Sequence, residues 1–175
     1  MSYLTITQYL GNPNLDVCSV NYNSDLKKFK NTTKNTTNNR VKVFNYLVAS
    51  NMVKSPTSYI DLTRIKNPPN IWGPKIWLKI HLMSMNYPKK PTIMDKKTKI
   101  TEISKIPSIL PCPICSKDTL NYISNNIDLL YEALEDREKL ILFFFNFHNY
   151  VNKKLGKVNF SLDNFKKLYN VNINI

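Results

Sequence analysis

From Trp72 to the C-terminus, apolar residues recur at helical spacing and prolines cut the pattern into pieces, which points to short helices packed together. Ile76, Trp77, Ile80, Met83 and Tyr87 form the first stripe, spanning Trp72–Tyr87 and ended by Pro88. A second segment starts at Pro91 and Thr92 and runs to Ile106, with Ile93, Ile100, Ile103 and Ile106 on one side. A third is expected from Cys112 through Leu120 and Ile123. The fourth and longest, Glu135 to Leu155, opens with acidic residues and closes on Lys153, Lys154 and Gly156, matching a helix dipole and a glycine C-cap. A short fifth helix covers Leu162 to Tyr169. The expected fold is all-α: an antiparallel four-helix bundle plus a short fifth helix.

The first 66 residues read differently. KKFKNTTKNTTNNR, 27–40, is polar and low in complexity, which predicts an exposed linker. VKVFNYLV, 41–48, suits a strand or a helical turn, and its length does not decide. Residues 1–66 are therefore expected to be an extension preceding a domain at 67–175.

LPCPIC, 110–115, sets Cys112 and Cys115 two residues apart at the mouth of the third helix. Three chemistries compete for such a pair. A zinc site needs four ligands, and the remaining candidates are Cys18, His81 and His148, none adjacent to another. Two inert buried thiols are the plain alternative. Against inertness, a helix N-terminus stabilises a thiolate, which thiol–disulfide exchange requires. A thioredoxin-like pair would follow a strand, and no parallel sheet is evident.

The fourth helix offers a partner for a redox pair. His148, Asn149, Asn152 and Gly156 share one arc beside a run of phenylalanines. Trp77 and His81 make a similar i, i+4 pair on the first helix. A single histidine of this kind is ordinarily a hydrogen-bonded core residue. Two helices that both present aromatic and polar groups suit a flat heteroaromatic ligand between them.

These stretches, WGPKIWLKIH with its downstream NYP, LPCPIC, and HNYVNKKLGK, stand in one order and spacing over residues 68–170. In this the chain resembles the Erv/ALR FAD-linked sulfhydryl oxidases, most closely the branch encoded by large DNA viruses. The resemblance implies a helical bundle holding FAD beside a Cys112–Cys115 disulfide, often as a homodimer. It implies oxidation of protein thiols, or of a small redox relay protein, with O2 as acceptor and H2O2 as product. Carried over by position, the cofactor contacts would be Gly73, Trp77, His81, Phe145, His148, Asn149, Asn152, Lys153 and Lys157. Tyr169 joins them, where cellular members commonly carry tryptophan. Cys112 would face incoming thiols and Cys115 the flavin.

Two features depart from the family pattern. Cellular members carry a second disulfide tying the C-terminal turn to an earlier helix. Here Leu162 stands near one of those positions, and no cysteine follows Cys115. A shuttle dithiol is also missing, because Cys18 has no neighbouring cysteine, and it is expected to be a bystander.

The net charge of +13 raises nucleic acid as a partner. Yet the excess lies before residue 106, and residues 106–175 carry 8 basic against 7 acidic side chains. Asn, Lys and Ile share AT-rich codons, so a nucleic-acid role is not expected. A basic zinc-binding or nucleic-acid-binding module remains the alternative. The start MSYLTITQYLGNPN lacks the pattern of a secretory signal, and LILFFF is far too short for a membrane span. The expectation is a soluble intracellular protein, in the host cytoplasm and the virion if it is viral.

Overall fold

The computed structural model describes residues 36–53 and 68–173, and all the regular structure among them is helical. The bundle is built on two long helices, α2 (Pro69–Met85) and α7 (Arg137–Lys154), which pack side by side. They run antiparallel: Trp77 of α2 meets Phe147 and His148 of α7, while Tyr87 just past α2 meets Arg137 at the start of α7.

Local chemistry fixes most of the helix ends. Pro68 is extended and Pro69 occupies the first helical position of α2, where a missing N–H costs nothing. Thr92 and Asp95 close a capping box on α3 (Ile93–Ile103). Asp136 accepts from the backbone N–H groups of Glu138 and Lys139 to start α7, and Gly156, at φ 65°, ends it. Ser161 caps α8 (Leu162–Tyr169) by accepting from Asn164 N–H. Cys112 itself is the N-cap of α5 (Pro113–Asn125), its Sγ accepting from Cys115 N–H at 3.2 Å.

The expected helices are present with small changes of boundary. The second segment ends earlier than expected, and the tight α4 (Ile106–Ile109) follows as a separate turn. Ile93 lies exposed rather than on the apolar side of α3. A further helix, α6 (Ile127–Ala133), was not foreseen. It buries Ile127, Leu130 and Ala133 against α7.

The larger difference lies upstream. Thr36–Arg40, expected as linker, form the first turn of α1 (Thr36–Val53), and 41–48 is helical. Residues 27–35 of that stretch fall outside the described residues. Phe44, Leu47 and Val48, at i, i+3 and i+4, bury one face of α1 against α4, α5 and α6. Arg40 and Thr37 both reach Asp128 at the head of α6, and Asn51 Nδ2 donates to the buried Ser104 hydroxyl at 2.8 Å. Helix α1 therefore shares the core of the bundle.

Two apolar clusters flank α7. Leu140, Phe143, Phe144 and Phe147 enter the main core, while Ile141 and Phe145 turn toward a second cluster with Phe165 of α8 and Ile173. One helix thus serves both clusters, which is why its sequence is apolar on more than one face.

Candidate active site

A cavity of about 790 Å³ opens between α2, α5, α7 and the segment leading into α8. Its wall combines aromatic rings (Trp72, Trp77, Phe147, His148, Phe160, Tyr169) with the ammonium-bearing side chains of Lys117, Lys154 and Lys157. Volume and lining suit a large, flat, anionic ligand.

Trp77 and His148 stack on each other in the wall. Their rings are nearly parallel, 8° apart with centroids at 3.9 Å, and Phe147 meets Trp77 edge-on at 5.2 Å. Behind them His81 is fully buried, its Nε2 at 3.0 Å from His148 Nδ1. Burial first, and His148 second, pushes the His81 pKa down to about 3. Burial and then the Lys157 charge pushes His148 down to about 4. Both rings are neutral near pH 7, and one nitrogen of the pair donates to the other.

Cys112 and Cys115 are joined as a disulfide, with Cα atoms 5.2 Å apart. Cys115 lies on the cavity wall and Cys112 does not. Both are partly exposed. One helical turn beyond Cys115, Asp118 accepts from Lys154 Nζ and from Tyr150 Oη, which ties α5 to the end of α7. Thr119, next along, is buried and also lines the cavity.

A model of the Erv1/Alr family matches residues 74–170 of the chain. The chain belongs to the Erv1/Alr family. Similar proteins include one from Invertebrate iridescent virus 3, 34% identical over 90 residues, covering 51% of this chain and 59% of that protein. The FAD-linked sulfhydryl oxidase of African swine fever virus is 31% identical over 102 residues, 58% of this chain and 82% of its own length. Among solved structures, the yeast Erv1 core superposes with a TM-score of 0.52 at 30% identity, over 66% of this chain and 93% of that one.

Within this Erv1/Alr-family fold, Gly73, Trp77, Cys115, His148, Asn152, Lys157 and Tyr169 lie together on the cavity wall. The other expected contacts stand elsewhere. His81 is behind His148, Phe145 packs edge-on against Phe165, Lys153 is exposed, and Asn149 binds the backbone of Phe160. Sequence reasoning missed Trp72, Phe147, Thr119 and Phe160. Phe147 sits beside His148 and Trp72 beside Gly73, so both were within reach of the motifs, whereas Phe160 lies between helices where no periodicity marks it.

Among the described residues no three His, Cys, Asp or Glu side chains converge as a metal site. Sulfurs bonded to each other are not thiolate ligands, so the zinc-module alternative has no support. No helix among the described residues is long and apolar enough to cross a membrane. Cys18 lies outside the described residues.

Proposed function

We propose that the chain is an FAD-dependent sulfhydryl oxidase that puts disulfides into protein thiols. The observation that carries this reading is the asymmetric disulfide: Cys115 on the wall of an aromatic, lysine-bearing cavity, and Cys112 at the helix mouth outside it.

The cavity suits FAD. Trp77, His148 and Tyr169 offer ring faces, Lys157 offers a cation for a pyrophosphate, and Asn152 offers a carboxamide. A Cβ at Gly73 would meet nothing within 4 Å, so the wall is open there, and the buried Trp72 Nε1 has no hydrogen-bond partner among the described residues. Bound there, FAD supplies a two-electron acceptor for the dithiol, with O2 as final acceptor and H2O2 as product.

The rest is thiol chemistry of this chain. A substrate thiolate attacks Cys112 Sγ, a mixed disulfide forms, and Cys115 leaves as a thiolate with the bonding electron pair. The substrate's second thiolate then attacks its own sulfur in the mixed disulfide and releases Cys112. The substrate gains a disulfide and Cys112–Cys115 becomes a dithiol. The α5 N-terminus, where Cys115 N–H already donates to Cys112 Sγ, stabilises the thiolates formed through the helix dipole.

The unit performing this is residues 67–175, with 1–66 as an extension whose helix α1 braces it. Substrates are protein thiols or a small redox relay protein. The viral sources of the relatives support a role in host cytoplasm and virion, where disulfides must be made in a reducing compartment. A homodimer is favoured by an outward stripe on α2, Ile71, Leu78 and Leu82, which are 51%, 47% and 44% exposed. Purification of the full chain tests the cofactor: visible flavin absorbance at one FAD per chain is expected, and a colourless protein that takes up no added FAD contradicts it.

A further inference from the structure

By its motif position Asn149 is an expected cofactor contact, but both ends of its carboxamide are engaged by the Phe160 backbone. Nδ2 donates to the Phe160 carbonyl at 2.9 Å, and Oδ1 accepts from Phe160 N–H at 2.8 Å. Turning the amide over would set donor against donor and acceptor against acceptor, so this orientation alone satisfies both ends. Asn152 Nδ2 also reaches Asn149 Oδ1 at 3.5 Å. Asn149 does not line the cavity.

The clamped segment does. Chain direction reverses at Gly156, and Lys157 N–H donates to the Asn152 carbonyl at 2.9 Å. From that fixed point the chain runs to Phe160, and Lys157, Val158 and Phe160 all face the cavity. Lys157 is also the cation that helps keep His148 neutral. Between its two anchors this segment has no helix or sheet of its own to hold it.

We infer that Asn149 is a positioning residue. Its carboxamide pins the segment 156–161 to α7 and thereby sets where Lys157 and Phe160 stand in the cavity wall. This deepens the oxidase reading and rests on it only for the identity of the ligand.

The test compares full-length wild type with Asn149→Leu and Asn149→Asp. Leucine removes both bonds at similar size, whereas the carboxylate keeps the acceptor and opposes the Phe160 carbonyl. Hydrogen exchange of the Phe160 amide is read by NMR on flavin-free protein, and FAD affinity by titration. In Asn149→Leu the Phe160 amide should exchange about tenfold faster without FAD, and FAD affinity should fall about tenfold. If that variant does not fold, Asn149→Asp should show the same two changes in smaller degree. Unchanged Phe160 exchange with weakened FAD binding would overturn the inference and make Asn149 a direct contact. Faster exchange with undiminished affinity would also overturn it, because the clamp would then not shape the site. Failure of wild type to bind FAD would sink the cofactor reading, and the exchange result separates that failure from a failure of the clamp.

Discussion

His81 Nε2 and His148 Nδ1 lie 3.0 Å apart, and this contact joins the buried face of α2 to the cavity wall on α7. Burial disfavours a proton on either ring, with His148 adding to this at His81 and the Lys157 charge at His148. Their folded-state values, about 3 and about 4, lie below the ordinary 6.5. The unfolded chain therefore binds more protons than the folded one between pH 6.5 and about 4, and stability falls as pH drops through that window. Thermal unfolding of flavin-free protein from pH 7 to 4.5 should show this decline, and His148→Gln should make it shallower. A midpoint independent of pH across the window would contradict the neutral pair.

Tyr87 ties the end of α2 to the turn between α6 and α7. It is 1% exposed, its hydroxyl donates to the Leu134 carbonyl at 2.8 Å, and Arg137 donates to its own carbonyl. Tyr87→Phe strands the Leu134 carbonyl and should cost about 1–3 kcal/mol by chemical denaturation. The cavity wall does not include Tyr87, so FAD binding should be retained.

Helix α8 is held by packing. Phe165 is fully buried, edge-on to Phe145 at 5.3 Å, in a cluster that includes Leu162, which stands near a position where the resemblance would set a cysteine. Phe165→Ala should cost about 3–5 kcal/mol and loosen α8. Amide protection in α8 should survive full reduction of wild type, whereas a reductant-induced loss would show that α8 depends on the Cys112–Cys115 disulfide.

The two sulfurs should behave differently. Because only Cys115 faces the cavity, Cys115→Ser should still capture substrate thiols, after oxidation, as a mixed disulfide at Cys112. Cys112→Ser leaves the cavity-facing thiolate, which should give flavin-loaded protein a long-wavelength absorbance that Cys115→Ser lacks. Identical spectra and trapping in the two variants would reverse this assignment of roles.

Much of the fold was legible because proline, glycine and capping residues punctuate it. Thr92, Asp136 and Gly156 mark boundaries through hydrogen bonds that depend on residue type. Helix α1 was not legible because its first turn, TTNNR, has the composition of a loop. Tertiary contacts of Phe44, Leu47 and Val48, together with Arg40 on Asp128, hold it. Helix α6 has no side-chain N-cap and only two turns, too few for periodicity to stand out. In the site, motif spacing singled out Trp77, His148 and Cys115, which line the cavity. It could not separate wall residues from those that support them, because His81 and Asn149 carry the same polar groups but spend them on His148 and on the Phe160 backbone.

Oxygen uptake by the flavin-loaded full-length protein with a small dithiol tests the central claim most directly. Wild type should consume O2 and release H2O2, while Cys112→Ser and Cys115→Ser should keep their flavin and lose turnover, since neither can re-form the disulfide. Sustained O2 consumption by either serine variant, or none by flavin-loaded wild type, would contradict an oxidase built on this cysteine pair.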